Sequence, residues 1–298
     1  MSDGVGPGGT GELDDPQRTT ELAGRFDAMY RTSGRDAAGV PWSQLRPQHD
    51  IRTWLDDNPP APGARALVVA AGLGDDAVAA EQRGWDVTAF DASPTAVDWA
   101  RERFPDAGVS WSVDDLFDAP GEWVGAFDLV IENLTIQSLP PSMRDEVCAT
   151  IASWVKPGGK LLVVTFLRPP GTPQGEGPPW PPAPEELDGL KKAGLEEQGA
   201  TDCTTPEIRE LGLRAAFVVY TRSDEPTVVV THAESPFEAD MLVSLLESGG
   251  IIATAQHRPL EDRTQTLFSK RGTPVWVRAE DLVAAQALLD AAPEPDSE

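Results

Sequence analysis

The segment from Leu67 to Asp91, LVVAAGLGDDAVAAEQRGWDVTAFD, constrains the fold of this chain more than any other. An apolar run leads into a turn that contains Gly72 and Gly74, a helical pattern follows, and a second apolar run ends on the carboxylate of Asp91. This order predicts the first half of a nucleotide-binding α/β unit. In such a unit the turn lets backbone approach a ligand, and the acid binds ribose hydroxyls.

Two further acids indicate which nucleotide the turn accepts. Asp75 and Asp76 directly follow Gly74, where a dinucleotide-binding fold would bring a pyrophosphate to the start of a helix. Two carboxylates at that place would repel the phosphates. A ligand with no phosphate and with a positive sulfonium suits the site better, so the sequence predicts S-adenosylmethionine as the cofactor.

Charge and composition exclude several classes of partner. The chain has 298 residues, a formal net charge of −25 and a pI near 4.3, and such a field repels nucleic acid and anionic membranes. No apolar run reaches the length of about 18 residues that a membrane span needs. The first residues, MSDGVGPGGTGELDD, lack the pattern of a secretory signal. The two cysteines, Cys148 and Cys203, have no metal-ligand spacing, so we expect a cytoplasmic protein without a metal site.

The pattern along the chain divides it into three parts. Residues 1–18 are predicted to be a disordered tail, residues 19–224 an α/β domain, and residues 225–298 a small α+β unit of order βαββα. Within the α/β domain, the proline-rich run 168–184 is predicted to be a loop that covers the active site. The strand candidates are Arg65–Val69, Asp86–Phe90, Val109–Val113, Phe127–Glu132, Lys160–Phe166 and Ala215–Tyr220, with the last at the edge of the sheet.

Acids at the ends of the second and third strands are candidates for cofactor binding. Asp91 is predicted to bind the ribose hydroxyls, and the alternative is that it caps the helix after it. Asp114 and Asp115 follow the third strand and can accept from an adenine amino group, with Leu116 as an apolar wall. We favour Asp115 over Asp114; the alternative for the pair is a solvated turn.

Residues after the fourth strand are candidates for the reaction centre. Glu132 and Asn133 end that strand and should face the methyl group, while Arg144 could stabilise an anionic acceptor or the cofactor carboxylate. The alternative for Arg144 is a surface position on a helix. Trp42 and Trp180 could wall the acceptor pocket or belong to the core. His49 could serve as a base for a hydroxyl acceptor, although a histidine at a helix start is usually exposed.

These motifs together resemble the class I S-adenosylmethionine-dependent methyltransferases, and within them the thiopurine S-methyltransferase-like family. The resemblance runs from about Phe26 to Tyr220. Alanines replace the family's first glycine and its cysteine, and Ser43 stands where the family often has aspartate. The matching positions are Pro41, Trp42, Pro47 and Gln48; Ala70, Ala71, Gly72, Gly74 and Asp76; Asp91; Glu132, Leu139, Pro140, Pro141 and Arg144; and Gly177, Pro178, Pro179 and Trp180.

The resemblance implies a Rossmann-like, seven-stranded methyltransferase sheet in a bacterial enzyme. It implies Glu132, Asn133 and Arg144 as catalytic residues. The C-terminal unit resembles a small bacterial domain of uncharacterised function that has been described as signal-transducing, and that likeness implies no chemistry. The implied cofactor-binding residues are Trp42, Ala70, Gly72, Gly74, Asp76, Asp91, Ala92, Asp114, Asp115, Leu116 and Glu132.

Three hypotheses for function remain open at this point. The first is methyl transfer to a small soft nucleophile such as a thiol. The second is methyl transfer to an oxygen or nitrogen of a natural product, which requires a base such as His49 or Glu132. The third is a non-catalytic regulatory protein that senses S-adenosylmethionine and relays its state through the C-terminal unit. The methyl acceptor and the oligomeric state are left undetermined.

Overall fold

The computed structural model describes residues 16–224, 227–255 and 273–291. Its main feature is a seven-stranded sheet of order β3-β2-β1-β4-β5-β7-β6. Strands β1 to β5 are parallel, and β7 runs antiparallel between β5 and β6. The strands are β1 (Arg65–Val69), β2 (Asp86–Asp91), β3 (Ser110–Val113), β4 (Phe127–Asn133), β5 (Val155–Leu167), β6 (Leu195–Asp202) and β7 (Arg214–Arg222). The predicted seven-stranded, Rossmann-like α/β fold is confirmed.

Helices cover both faces of this sheet. Short 3-10 turns precede several of them, including Ile136–Ser138 and Pro141–Met143 between β4 and the next helix. The helices of the α/β region are α1 (Pro16–Thr32), α2 (His49–Asp57), α3 (Asp75–Glu81), α4 (Pro94–Arg103), α5 (Arg144–Trp154), α6 (Asp188–Lys192) and α7 (Pro206–Glu210).

The core explains why the central strands appear in the sequence as continuous apolar runs. Both faces of β1, β4 and β5 are buried, which is typical of a parallel sheet between two helical layers. On one face Phe90, Trp123 and Trp154 pack against each other, with ring centroids 5.2–5.9 Å apart. On the other face Ile51 and Leu55 of α2 belong to the cluster that contains Val68 and Leu129.

The structure corrects three boundaries. The predicted strand Ala215–Tyr220 belongs to β7, which lies inside the sheet, and the edge is formed by the unpredicted β6. The sequence pattern predicts a helix over Pro141–Val155, but helix α5 begins at Arg144, because Pro141–Met143 form a 3-10 turn. Helix α1 begins at Pro16, so the last residues of the predicted disordered tail are helical, whereas residues 1–15 lie outside the described residues.

The C-terminal region forms a separate, smaller sheet with the predicted order βαββα. Strand β10 lies antiparallel between β8 and β9, and a small apolar cluster around Leu246 and Val275 packs on it. Of this region, residues 225–226, 256–272 and 292–298 lie outside the described residues. Within the described ranges, none of the helices combines the length and apolar character that a bilayer crossing requires. The elements are β8 (Thr227–Ala233), α8 (Pro236–Ser248), β9 (Ala253–Ala255), β10 (Thr273–Arg278) and α9 (Leu282–Ala291).

Candidate functional site

The turn after β1 is built for close approach of backbone to a ligand. Ala70, Gly72 and Gly74 all have positive φ, at 45°, 54° and 87°. A Cβ on Gly74 would lie 2.5 Å from Cη2 of Trp111, so this position tolerates only glycine without a shift. Leu134, just after β4, also has a positive φ of 67°. The two central strands therefore both end in strained backbone at the same edge of the sheet, as is common at functional sites.

Asp91 lies where the sequence predicts it, at the end of β2 and facing this turn. Its Oδ2 accepts a hydrogen bond of 2.9 Å from Gly72 N, and its Oδ1 accepts one of 2.8 Å from Ser93 N. Each oxygen keeps a second lone pair for a ligand hydroxyl. Burial, with a smaller effect of nearby Asp27, raises the pKa of Asp91 to about 6. The residue that caps α4 is Ser93, whose Oγ accepts from Ala96 N, so the alternative role of Asp91 as the helix cap is wrong.

Asp75 pairs with an arginine of the protein, whereas the sequence predicted that its carboxylate would face the ligand. Its carboxylate forms a bidentate ion pair with Arg103 of α4, with N–O distances of 2.6 and 2.8 Å. Arg103 also donates to the carbonyl of Leu73. The charge of Asp75 is therefore compensated within the protein. The expectation that both carboxylates would repel a phosphate is wrong for Asp75 and can hold only for Asp76.

Asp76 connects three predicted parts of the site. Its Oδ1 accepts from Gln48 N at 2.8 Å, and its Oδ2 accepts from Asn133 Nδ2 at 2.8 Å. Burial raises the pKa of Asp76, partly opposed by these two hydrogen bonds. The segment around Gln48, the start of α3 and the end of β4 are thus joined by one carboxylate.

The two carboxylates predicted to contact adenine follow β3. Asp115, the favoured adenine contact, accepts a hydrogen bond of 2.9 Å from Phe117 N with its Oδ1. Among the described residues none donates to the carboxylate of Asp114 or to Oδ2 of Asp115, so each acid keeps an oxygen for a ligand. Leu116 is buried in the cluster that includes Phe90, while Ala92 is exposed.

Glu132 is wholly buried at the end of β4. Its Oε1 accepts from Thr135 N at 2.5 Å and from Ile136 N at 2.9 Å. None of the described residues offers a donor to its Oε2. Burial raises the pKa of Glu132 to about 7, against the lowering effects of these hydrogen bonds and of Arg144. The carboxyl group therefore shapes the turn that follows β4, and burial brings its pKa close to neutral pH.

Arg144 is buried, with 5% of its surface exposed, so its alternative as a surface residue is wrong. It donates from Nη1 to the carbonyl of Ile136 and from Nη2 to that of Trp180, the latter at 2.9 Å. Burial lowers its pKa. The guanidinium thus bridges the turn after β4 and the proline-rich loop.

Gln137 is a site residue that sequence reasoning missed. Its main-chain oxygen accepts from Trp180 N at 2.6 Å, and its side-chain Oε1 accepts from Phe166 N at 2.6 Å and from Thr165 Oγ1 at 3.2 Å. Gln137 therefore binds the main-chain N–H of Trp180, and Arg144 binds its main-chain oxygen. The sequence signal that could have identified Gln137 is its position in the turn after β4, next to the predicted reaction centre.

Helix α1 covers the cofactor side of the site, which the sequence did not predict. Trp42 donates from Nε1 to Tyr30 Oη at 2.9 Å and packs edge-to-face on Phe26. A Cβ on Gly72 would lie 3.1 Å from Tyr30 Oη, so this hydroxyl lies over the glycine turn. Asp27 of α1 accepts from Ser93 Oγ at 2.8 Å. His49, by contrast, is exposed at the start of α2.

These residues fit S-adenosylmethionine. The turn permits close backbone approach, and a buried carboxylate with free lone pairs stands beside it for ribose hydroxyls. Arg103, which donates to the carbonyl of Leu73 in the turn, is paired with Asp75, so its charge is already compensated within the protein. Among the described residues no cluster of three His, Cys, Asp or Glu side chains could hold a metal ion. This sheet order, glycine turn and strand-end acid define a class I S-adenosylmethionine-dependent methyltransferase.

Comparison with known proteins gives the family. The family model for thiopurine S-methyltransferase (TPMT) matches residues 36–217, and the chain belongs to this family. It is an S-adenosylmethionine-dependent methyltransferase, so the resemblance predicted from the motifs is confirmed for this part of the chain. The match favours an enzyme over the third hypothesis, a binding protein without catalysis. The matched residues end before the C-terminal sheet.

The chain is similar to several individual methyltransferases. It is 27% identical over 183 residues to a probable thiol methyltransferase 2 of Arabidopsis thaliana, covering 56% of this chain and 78% of that protein. It is 28% identical over 184 residues to a thiocyanate methyltransferase 1 of Brassica oleracea, covering 58% and 78%. The structure of a Burkholderia thailandensis 1,6-didemethyltoxoflavin-N1-methyltransferase with bound S-adenosylhomocysteine aligns with a TM-score of 0.56 at 19% identity, covering 72% of this chain and 93% of that one. This last likeness concerns the fold alone.

Proposed function

We propose that this enzyme methylates a small thiol or another soft nucleophile in the bacterial cytoplasm. The observation that carries the proposal is the state of the two candidate bases. His49 is exposed on α2, and Glu132 is wholly buried with one oxygen committed to two backbone N–H groups. A thiol needs no strong base, because its thiolate already forms near neutral pH. The similarity to a probable thiol and a thiocyanate methyltransferase supports the same acceptor class.

We propose that the cofactor lies along the carboxyl edge of β1 and β2. Asp91 would bind the ribose hydroxyls, and the backbone of Ala70, Gly72 and Gly74 would follow the methionine part. Asp115, in preference to Asp114, would accept from the adenine amino group. Bound in this way, S-adenosylmethionine supplies an electrophilic methyl carbon on a sulfonium. Leu116 and Ala92 would flank the nucleoside, and Trp42, Asp76 and Glu132 would support the surrounding segments through the contacts described above.

The protein's contribution to the reaction is positioning and exclusion of water. Alignment of a nucleophile with a reacting carbon supplies roughly 7–11 kcal/mol of a barrier. Asn133, held by Asp76, stands at the end of β4, where the acceptor would meet the cofactor. Arg144 donates to the main-chain oxygen of Trp180, which supports a role in holding the Trp180 loop beside this region. We therefore propose a positioning role for Arg144 and direct contact for Asn133.

One observation favours a second candidate, transfer to a phenolic oxygen or an amine. Burial raises the pKa of Glu132 to about 7, which suits a general base at neutral pH. Its Oε2 receives no hydrogen bond from the described residues. Such a reaction would require that the acceptor hydroxyl reach this buried oxygen.

The test is methyl transfer from a deuterated S-adenosylmethionine to a panel of thiols, with phenols and amines of the same shape as controls. Turnover of thiols alone supports the proposal, and turnover of phenols or amines alone supports the second candidate. Calorimetry with S-adenosylmethionine accompanies the panel, because a protein that does not bind the cofactor contradicts both.

We also propose that the α/β region from the start of α1 at Pro16 to residue 224 forms the catalytic domain, and that residues 225–298 form an accessory unit. The separate three-stranded sheet with its own apolar cluster supports this division. An ion pair of 3.2 Å between Arg278 of β10 and Glu196 of β6 contributes to the contact between the two sheets.

A further inference from the structure

We propose that the cavity between α1 and the Trp180 loop is the acceptor site, and that Arg25 selects acceptors that carry a negative group. This inference rests on the proposed function, because it assigns a substrate class to the same enzyme. It concerns a residue outside the motifs by which the family is recognised.

The cavity has the size and the walls that a small molecule needs. Its volume is about 440 Å³, within the range of roughly 300–1,000 Å³ typical of ligand sites. Leu22, Pro140, Pro141 and Trp180 supply apolar surface, and the polar lining includes Glu21 and Arg25. The main chain of Trp180 is held at two points, because its N–H donates to Gln137 and its carbonyl accepts from Arg144.

The position of the cavity along α1 matches the distance that a small acceptor must span. Tyr30 of the same helix lies over Gly72 at the cofactor turn. Arg25 precedes Tyr30 by five residues, which corresponds to about 7.5 Å along a helix axis. One helix therefore lines the cavity with its first half and the cofactor turn with its second. Pro140 and Pro141, in the turn after β4, line the same cavity, so an acceptor bound there would lie beside the end of that strand.

Arg25 gives the lining a cation that an anionic acceptor can bind. The chain carries a net charge of −25, so an anion needs a local cation to overcome repulsion. On and next to α1, Arg31 and Arg35 form ion pairs with Asp27 and Glu102. Arg25 forms no ion pair with any described residue, although it lines the cavity. Its guanidinium is thus free for a bidentate contact with a carboxylate or a similar group.

Glu21 is the competing group in the same lining. It lies one helical turn before Arg25 and would favour a cationic acceptor. Arg25 lies nearer to the cofactor turn along α1, so a group bound there leaves the nucleophile closer to the reaction centre. The two side chains make opposite predictions, which the experiment separates.

The first measurement compares three arenethiols that differ only in the para substituent: carboxymethyl, hydroxymethyl or aminomethyl. The wild-type kcat/KM should be roughly tenfold higher for the carboxymethyl compound than for the aminomethyl one, as expected for a hydrogen-bonded charge pair. Arg25→Gln should remove this preference, and Arg25→Glu should reverse it. The matched control is Arg52→Gln, at an exposed position of α2, which should keep the wild-type preference. Equal rates, or a wild-type preference for the amine, would overturn the proposal while leaving thiol methylation intact.

A second measurement does not depend on turnover. Phenylacetate binding is measured by calorimetry in the presence of S-adenosylhomocysteine. Wild type should bind it roughly tenfold more tightly than Arg25→Gln. If no arenethiol is methylated, the proposed thiol chemistry fails, and this binding difference alone supports the cavity assignment. Absent binding, or equal binding by both proteins, would overturn it.

Discussion

The carboxylate of Asp91, at the end of β2, accepts a hydrogen bond of 2.9 Å from the backbone N–H of Gly72, in the turn after β1. The two elements that we propose to bind the cofactor are therefore in direct contact with each other. The acid fixes the conformation of the turn with one lone pair and keeps another for the ligand. Loss of its negative charge should affect both at once.

Cofactor affinity should therefore depend on pH. Burial raises the pKa of Asp91 to about 6, so the carboxylate is ionised at pH 8 and protonated below about 6. The protonated form accepts hydrogen bonds poorly, and the Kd for S-adenosylmethionine should rise as the pH falls through this value. Calorimetry between pH 8 and pH 5 measures the change. An affinity that stays constant over this range would contradict the assignment.

Glu132→Gln separates the structural and catalytic roles of that residue. The pKa of Glu132 is about 7 in the folded protein against 4.5 for an ordinary glutamate, so wild-type stability falls as the pH rises from 4.5 to 7. Glutamine keeps an oxygen for Thr135 N and Ile136 N but carries no charge. At pH 8 the variant should be more stable by on the order of 3 kcal/mol, and the difference should vanish below pH 4.5. Urea unfolding at both pH values measures it.

The same variant tests the reaction. If thiols are the acceptors, Glu132→Gln should retain most of its kcat with thiols, because no general base is required. A loss of more than roughly a hundredfold, the typical contribution of such a base, would instead indicate oxygen or nitrogen methylation with Glu132 as the base.

Gly74→Ala should destabilise the protein. The added Cβ would lie 2.5 Å from Cη2 of Trp111 and 3.1 Å from Cβ of Ala100, at a φ of 87°. The combined backbone strain and overpacking should cost about 2–4 kcal/mol. The control is Gly24→Ala in α1, where nothing lies within 4 Å and alanine should stabilise by up to about 1 kcal/mol. Denaturant unfolding measures the free energy of unfolding of both variants. Equal changes in the two variants would show that the contact with Trp111 does not restrict residue 74 to glycine.

Arg144→Lys should weaken acceptor binding without affecting cofactor binding. A single ammonium group cannot donate to the carbonyls of both Ile136 and Trp180 in the geometry of the guanidinium. The loop at Trp180 should loosen, and the acceptor KM should rise roughly tenfold, as expected for one lost charged hydrogen bond. The Kd for S-adenosylmethionine should stay unchanged, as should both constants in the exposed control Arg52→Lys. An unchanged KM would mean that the loop does not position the acceptor.

The sequence predicted the catalytic half of the sheet because its signals are local. The apolar runs of β1, β2 and β4 are buried on both faces, and the glycine turn and Asp91 adjoin these strands in the sequence. Strand β6 was missed because only Leu195 of it is buried, so its polar sequence shows no strand pattern. The order of β7 and β6 depends on pairing between distant segments, which no local pattern encodes.

The parts of the site that were missed depend on contacts across the chain. Arg103 neutralises Asp75 from 28 residues away, and Arg144 reaches Trp180 across 36 residues. Helix α1 follows a glycine-rich and acidic segment. Its position over the glycine turn is shown only by the folded chain, in which Tyr30 lies over Gly72. Motifs identify which strand ends carry function, whereas the folded chain determines which of those side chains are left free for a ligand.

The most direct test of the central claim is calorimetry of S-adenosylmethionine with wild type, Asp91→Ala and the control Asp86→Ala, an exposed acid at the start of the same strand. Asp91→Ala should lose roughly 3 kcal/mol of binding free energy, because two charge-assisted hydrogen bonds disappear. Asp86→Ala should bind like wild type. Unchanged binding by Asp91→Ala would contradict the placement of the cofactor at the ends of β1 and β2.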